Sequence, residues 1–235
     1  MCSRREAERW IADGRVRVNA AVERTASRWI DPARDRVVVD DRLVGDETPR
    51  VVLAFHKRKN FVTTRADPGG RPTVYDALGD VGHWVFPVGR LDRDTSGLLI
   101  LTNDHKLGER LTSPGYHVPK TYHVRVAGVP DGEALRALRE GLPLDDGTLT
   151  RPAKVRVLGT PRGSPDTSGA EVSTWLEIVL TEGKNRQVRR MCAAVGHDVR
   201  ELVRVRIGRL DLGDLAPGEW RELDAEQVKS LTRRV

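Results

Sequence analysis

Apolar residues recur in this chain with two different periods, and the order in which those periods follow one another limits the fold. Strand patterns occur at residues 51–55, 97–102, 117–126, 152–158, 175–181 and 199–212. Helical patterns occur at residues 106–112, 131–140, 185–195 and 225–234. TPRGSPDTSG at residues 160–169 indicates a flexible surface loop. Because strands and helices do not alternate strictly, we predict an α+β fold with a mixed, mainly antiparallel sheet.

The amino-terminal residues predict a small α+β unit of their own. Residues 3–14 begin with the spacing of a capping box and end on a glycine, so we expect an amphipathic helix. Residues 15–19 alternate as a half-buried strand, and residues 37–44 indicate a hairpin. A polar break follows. We therefore predict two domains, at residues 1–46 and 49–235, of which the first is too small to hold much core.

The charge of the chain favours a polyanionic partner. Lys and Arg number 40 against 34 Asp and Glu, which gives a formal net charge of +6 and a pI near 9.7. A GC-rich genome would explain much of the preference for arginine over lysine. The net positive charge and its clusters still indicate binding to a polyanion, and the clusters lie at residues 4–5, 15–17, 184–190 and 200–209.

Several classes of protein are not indicated by the sequence. It contains no apolar run of about 18 residues and no apolar segment of a signal peptide at its start. Cys2 and Cys192 form no Cys-x-x-Cys pair, so neither a disulfide framework nor a zinc site is predicted. No P-loop, Gly-x-Gly-x-x-Gly fingerprint, zinc-binding helix or serine elbow is present. We expect a soluble cytoplasmic protein without a membrane segment or metal.

A charged loop, VGRLDRDTSG, precedes an apolar strand at residues 88–97. It places Asp92 between Arg90 and Arg93, close to a sheet edge where a carboxylate is held rigidly. Such a carboxylate is suited to catalysis. The same pattern would arise if Asp92 capped the turn or paired with Arg90.

A second motif, TEGKNRQVRRM at residues 181–191, ends a strand and opens a helix. It brings together the cations Lys184, Arg186, Arg189 and Arg190. Free backbone N–H groups at a helix start favour phosphate, so the motif indicates a phosphate site. A solvated basic face of a helix would have the same sequence.

These segments together resemble a known family. GRLDRDTSGLLILTND, KTYHVRV, EGKNRQVRRM and VRELVRVRIG are similar, in order and spacing, to the ribosomal-RNA pseudouridine synthases of the RsuA/RluB type, over about residues 51–223. CSRREAERWIADGRVRVN resembles a small RNA-binding domain shared with a small-subunit ribosomal protein. The chain departs from the family at residues 56–60, where Asn-Lys-Pro-x-Gly is usual, and at His105, where glycine is common. The RNA-binding domain lacks its first helix, so we expect the native chain to begin upstream of Met1.

The resemblance implies a reaction and the residues that perform it. The bond from uracil N1 to ribose breaks, the base turns, and it is rejoined through C5 without a cofactor or metal. Asp92 matches the catalytic carboxylate, Arg189 the arginine that pairs with it, and Tyr122 the aromatic residue that stacks on the target base. Leu202 matches the apolar residue that walls the pocket. An ordinary strand tyrosine would look the same as Tyr122, and an ordinary core leucine the same as Leu202. The residues expected in the substrate pocket are Arg90, Leu91 and Leu202.

The resemblance also implies a partner. We expect a ribosomal RNA stem-loop, free or within a subunit precursor, bound by a monomer. Large-subunit RNA is favoured over small-subunit RNA by the overall similarity of the strings. The residues expected to bind RNA are Arg4, Arg5, Arg15, Arg17, Lys120, Lys184, Asn185, Arg186, Gln187 and Arg190.

Two functions of other classes stay open at the level of sequence. A non-catalytic ribosome-assembly factor would need the fold and its basic surface but no carboxylate chemistry. A metal-dependent nuclease would act through Asp92 and Asp94, although no third carboxylate is suitably spaced.

Overall fold

The computed structural model describes residues 2, 4–45, 49–159 and 172–232. The chain divides into two compact units, Met1–Arg50 and Val51–Val235. Ser3, where the predicted first helix begins, and the predicted loop at residues 160–169 lie outside the described residues.

The first unit is one helix and a small antiparallel sheet. Its elements are α1 (Arg4–Ala12), β1 (Val16–Val18), β2 (Ala21–Glu23), β3 (Val37–Val39) and β4 (Arg42–Val44), with the strands in the order β2-β1-β3-β4. Val16 and Val18 are buried on one face of β1 while Arg17 is exposed on the other, as alternation predicts. Gly14 ends the helix with a φ of 76°, a conformation that favours glycine. The predicted helix, strand and hairpin are all present.

The second unit holds a larger sheet and five short helices among the described residues. Its strands are β5 (Val52–Lys57), β6 (Phe86–Val88), β7 (Ser96–Thr102), β8 (Lys120–Ala127), β9 (Lys154–Gly159), β10 (Ser173–Leu180), β11 (Val199–Ile207), β12 (Leu210–Asp211) and β13 (Trp220–Glu222). Its helices are α2 (Val74–Leu78), α3 (His105–Thr112), α4 (Gly132–Glu140), α5 (Gln187–Ala194) and α6 (Ala225–Leu231). Side-chain oxygens cap the amino termini of four of them, from Thr73, Asp104, Asp131 and Asp224.

The sheet is mixed but mainly antiparallel, which confirms the predicted α+β class. Its strands run in the order β13-β5-β7-β11-β8-β10-β9, with β12 paired to β11 and β6 to β7. β7 and β11 pair in parallel, and the other pairs are antiparallel. The parallel pair lies inside the sheet, and the strands on each side of it pair antiparallel.

The two halves of the sheet are buried differently. In β5 and β7, one set of alternate residues packs with α3 and α6, and the other set packs with α2. Because both faces are covered, these strands have continuous apolar sequences. In β10 every second residue is buried, in the cluster that also holds α4 and α5. The apolar runs and alternations in the sequence therefore report how many faces each strand buries.

Four short elements were not predicted: β2, β6, β13 and α2. Each has five residues or fewer, which is too short for a period to be recognised. The predicted strand at residues 199–212 is divided by a turn at Gly208, where φ is 58°. The strand predicted to begin at residue 117 begins at Lys120, because Pro114–Tyr116 form a 3₁₀ turn.

The parallel contact between β7 and β11 requires a glycine at position 97. Gly97 has a φ of 110°, and a Cβ there would lie 2.3 Å from the carbonyl oxygen of Arg204. Gly79 also has a positive φ, 68°, but a Cβ there would meet nothing within 4 Å. Substitutions at these two glycines therefore separate the cost of backbone strain from the cost of a steric clash.

We expect Gly97→Ala to lower the free energy of unfolding by about 3 kcal/mol or more, because strain and clash add. Gly79→Ala should lose about 1 kcal/mol from strain alone. Urea denaturation of both variants measures the difference. Equal losses at the two positions would contradict the close approach of the strands.

Candidate active site

The loop between β6 and β7, residues 89–95, is fastened through its backbone. The ammonium of Lys57 donates hydrogen bonds to the carbonyl oxygens of Asp92 at 2.9 Å, Thr95 at 2.8 Å and Arg58 at 3.0 Å. Lys57 is 0% exposed. Burial lowers the pKa of Lys57 to about 8, and the charges of Asp92 and Asp94 oppose that fall. At neutral pH the side chain is therefore still an ammonium with three protons to donate.

Other hydrogen bonds hold the residues on either side of Asp92. The hydroxyl of Thr63 donates to the carbonyl of Leu91 at 2.7 Å and accepts from its N–H at 3.2 Å. The N–H of Asn60 donates to the carbonyl of Arg93 at 2.7 Å. These bonds fix the loop while leaving the carboxylate of Asp92 outside the backbone network.

Two arginines of the segment that opens α5 face the carboxylates of the loop. Nη1 of Arg186 lies 3.8 Å from Oδ2 of Asp92, and Nη2 of Arg186 lies 3.3 Å from Oδ2 of Asp94. Nη2 of Arg189 lies 3.1 Å from Oδ2 of Asp94. Among the described residues, then, Arg186 is the ion-pair partner of Asp92, while Arg189, which was expected to pair with Asp92, pairs with Asp94. Arg189 is fixed instead on Asp94 and on the carbonyls of Asp94 and Val199, at 3.1 and 3.3 Å.

The arginines affect the two carboxylates unequally. Burial raises the pKa of Asp94, but the hydrogen bond from Arg186 and the charge of Arg189 outweigh it, so that the pKa lies below its usual value. The side chain of Asp92 is 31% exposed and has the longer contact with Arg186. Asp94 thus organises the arginines, and Asp92 has an open carboxylate beside them.

A cavity of about 400 Å³ opens beside Asp92. The catalytic and pocket residues predicted from the sequence, apart from Arg189, all line it: Asp92, Tyr122, Arg90, Leu91 and Leu202. Leu91 and Leu202 are also members of the buried core clusters, so each serves as both core and cavity wall. Tyr122 is half-buried on β8, directly opposite Arg204 of β11.

The residues expected to bind RNA are divided among several places. Lys120, Lys184, Asn185, Arg186 and Gln187 line the cavity. Gln187 is only 4% exposed, and its amide donates to Glu182 at 2.6 Å and accepts from the N–H of Lys184 at 3.0 Å. It shapes the turn before α5 and is not free to bind RNA. Arg190 does not line the cavity and pairs with Asp145 and Asp146, its distance to Asp146 being 2.8 Å.

The remaining expected RNA contacts lie in the first unit. Arg4 and Arg5 are exposed on α1. Arg15 pairs with Asp40, and its guanidinium lies 4.9 Å from the centre of the Trp10 ring. Arg17 pairs with Asp41 at 3.2 Å. These pairs reduce the net charge that Arg15 and Arg17 present.

Two buried cations at this site were not identified from the sequence. They are Lys57, under the loop, and Arg204, which is 3% exposed and lines the cavity. A signal for Arg204 was present, because it is two residues from Leu202 in β11 and therefore shares its face. Nothing in the sequence indicates the convergence of carbonyls on Lys57.

The described residues contain neither a cluster of metal-ligating side chains nor a membrane-spanning helix. No group of three or more His, Cys, Asp and Glu side chains is placed to hold a metal ion within those residues. No helix in that part of the chain is long and apolar enough to cross a membrane.

Comparison with known proteins identifies the family. A family model described as RNA pseudouridylate synthase matches residues 51–194. An uncharacterized RNA pseudouridine synthase of Aquifex aeolicus is 37% identical over 235 residues, covering 100% of this chain and 90% of that protein. The ribosomal large subunit pseudouridine synthase B of Bacillus subtilis is 36% identical over 231 residues, covering 98% of this chain and 91% of that protein.

A solved structure agrees with the sequence comparisons. A crystal structure of a pseudouridylate synthase superposes with a TM-score of 0.70 at 29% identity, covering 97% of this chain and 94% of that one. The fold, the sequence motifs and the cavity therefore all agree with the same family. The chain belongs to the RNA pseudouridylate synthase family.

Proposed function

We propose that this chain converts a specific uridine of large-subunit ribosomal RNA to pseudouridine, with Asp92 as the catalytic carboxylate. The observation that supports this most strongly is the placement of Asp92. Its backbone is held by Lys57, and its carboxylate lies at a cavity, 3.8 Å from Arg186. A fixed carboxylate beside a pocket is what the exchange of a glycosidic bond requires.

The geometry suggests how the site performs the reaction. A target uridine leaves its stack and enters the cavity, where Tyr122 offers an aromatic face to the base and Leu202 an apolar wall. Arg186 places a positive charge 3.8 Å from the carboxylate of Asp92. Arg189 acts on Asp92 only indirectly, since it fixes Asp94 and the end of the loop. The carboxylate of Asp92 then faces the anomeric carbon of the ribose.

The RNA is held chiefly by its phosphates. Lys184 and Arg186 lie on the same cavity as Asp92, together with the exposed Arg90. In the first unit, Arg4 and Arg5 offer exposed charge. We assign the first unit to RNA binding and the second to catalysis, in line with the resemblance of the amino-terminal residues to an RNA-binding domain.

The nature of the substrate is proposed from relatives. The Bacillus subtilis relative is named for the large ribosomal subunit, and it matches nearly the whole of this chain. We extend the name to a substrate, a stem-loop of that RNA, presented free or within a subunit precursor. The enzyme is proposed to act as a monomer, in the cytoplasm, without a cofactor.

Release of tritium from carbon 5 of uridine tests this function. We expect the wild-type protein to release tritium to water from transcripts of large-subunit RNA, with EDTA present, because the new C1′–C5 bond displaces the hydrogen of C5. Asp92→Asn should release none above background while its Kd for RNA changes by less than about threefold, since phosphate contacts supply most of the affinity.

Asp94→Asn is the matched control, because it removes a carboxylate two residues away. It should slow the release but not abolish it, since Asp94 holds Arg186 and Arg189 and does not meet the substrate. Release by Asp92→Asn at the wild-type rate would refute the role of Asp92. Tight binding without release by the wild type would favour a non-catalytic assembly factor.

Salt dependence of binding tests the assignment of phosphate contacts. The affinity K falls as salt rises, and Arg90→Gln should reduce the magnitude of the slope of log K against log salt by about 0.7 to 0.9, because one phosphate contact is lost. Arg190→Gln removes the same charge, but from a side chain that is held by Asp145 and Asp146. It should leave the slope unchanged. If both variants lowered the slope equally, the RNA would be responding to net charge rather than to position.

A further inference from the structure

The wall of the cavity carries two cations that the reaction as described above does not use. Arg204 is 3% exposed, and its Nε donates to the carbonyl of Leu98 at 2.8 Å. Its Nη2 is buried and has no hydrogen-bond partner in the described structure. Lys120 also lines the cavity, and its ammonium has a single hydrogen bond there, to the carbonyl of Val118 at 3.2 Å. Both side chains have unused hydrogen-bonding capacity.

The pairing of β8 with β11 brings these cations together. Tyr122 pairs with Arg204, and Lys120 is two residues from Tyr122 on the same strand, so it lies on the same face. All three side chains line the cavity. The register of two central strands, and not a mobile loop, therefore sets the distance between the cations and the stacking tyrosine.

These positive charges have no counterion in the described part of the chain. Neither Lys120 nor Arg204 is within ion-pair distance of a described carboxylate. Burial, and to a smaller extent the charge of Arg204, lower the pKa of Lys120 to about 8. Two neighbouring cations with unused donors are unfavourable to bury unless they find a partner. They indicate a ligand that brings negative charge or strong acceptors to this wall.

The depth of Arg204 decides which part of an RNA can be that ligand. Phosphates remain on the backbone, near exposed side chains such as Arg90 and Arg186. Only a base that has left its stack can reach a side chain that is 3% exposed. The acceptors that uracil offers are O2 and O4.

The chemistry of the bond that breaks gives uracil the required charge. When the C1′–N1 bond breaks, its electron pair stays on the base, which becomes an anion with charge on N1, O2 and O4. The positive charge left on the ribose is compensated either by the carboxylate of Asp92 or by loss of a sugar proton. After the base turns, an electron pair from C5 forms the C1′–C5 bond, the proton on C5 is lost, and N1 takes up a proton. The sum is an isomerisation that needs no oxidant or reductant.

We propose that Arg204 and Lys120 are catalytic residues that stabilise the detached uracil anion through its oxygens. This rests on the proposed function and adds a second electrostatic element to it. Asp92 acts on the ribose, and the two cations act on the base. Donors that are already in place, in a site with little water, stabilise charge that develops only as the reaction proceeds.

Replacement of the target uridine by 5-fluorouridine tests this role, because fluorine withdraws electrons and makes the free base a more stable anion. Lys120→Met and Arg204→Gln are compared with the wild type in single-turnover reactions, with chromatography of nuclease digests to follow loss of the target nucleoside. With uridine RNA, we expect the rate to fall by about 10²-fold to 10³-fold while Kd changes by less than about threefold. With 5-fluorouridine RNA, the loss should shrink to about tenfold or less.

Further variants separate this role from a structural one. Lys106→Met removes a charge from an exposed site on α3 and should leave both rates unchanged. Lys120→Arg keeps the charge and should recover most of the rate. Urea denaturation identifies any variant that is poorly folded. If Arg204→Gln is one of them, the test rests on Lys120→Met, whose side chain is less deeply buried.

Three outcomes would overturn the proposal. They are an equal loss of rate with both RNAs, a rise in Kd that accounts for the whole loss, or no recovery in Lys120→Arg. The proposed function fails separately, if the wild type converts no uridine or if Asp92→Asn remains active.

Discussion

A single buried ammonium supports the loop that carries Asp92, the carboxylate to which we assign catalysis. Lys57 is withdrawn from water at the end of β5 and donates to three carbonyls, those of Arg58, Asp92 and Thr95. Burying a charge costs on the order of several kcal/mol unless its hydrogen-bonding groups are satisfied. The charge is therefore tolerable only while the three carbonyls converge, and their convergence defines the path of the loop. A lysine from one strand thus sets the position of a carboxylate carried by another.

The rest of the site is arranged around that loop. Asp94 pairs with Arg186 and Arg189, which come from the segment that opens α5. The parallel contact of β7 with β11 brings Arg204 next to the same strand, since its Nε donates to Leu98. Negative charge at the loop and positive charge at the cavity wall are consequently fixed by separate elements of one sheet. This separation allows a carboxylate and uncompensated cations to face one cavity without neutralising each other.

Much of the fold and part of the site could be predicted from the sequence. The apolar runs and alternations predicted the longer strands, since they report burial directly. The polar loop before β7 pointed to Asp92, and the family resemblance to Tyr122 and Leu202, all of which line the cavity. The contact of Asp92 with Arg186, where Arg189 was expected, could not be predicted, because the two arginines are close in sequence and only the turn before α5 decides which of them meets the carboxylate. Lys57 could not be predicted, since its partners are backbone carbonyls whose convergence exists only in three dimensions.

Positioning of Asp92 by the buried ammonium of Lys57 is tested by the single-turnover rate of Lys57→Met. Lys59→Met is the control, since it removes the same charge from an exposed pair with Glu201. A displacement of about 1 Å at a reacting group can cost about 10²-fold in rate. We predict a loss of at least that size for Lys57→Met, with the Kd for RNA unchanged within about threefold and native circular dichroism at the assay temperature. A folded Lys57→Met protein that turns over as fast as Lys59→Met would contradict the role of Lys57 in positioning Asp92.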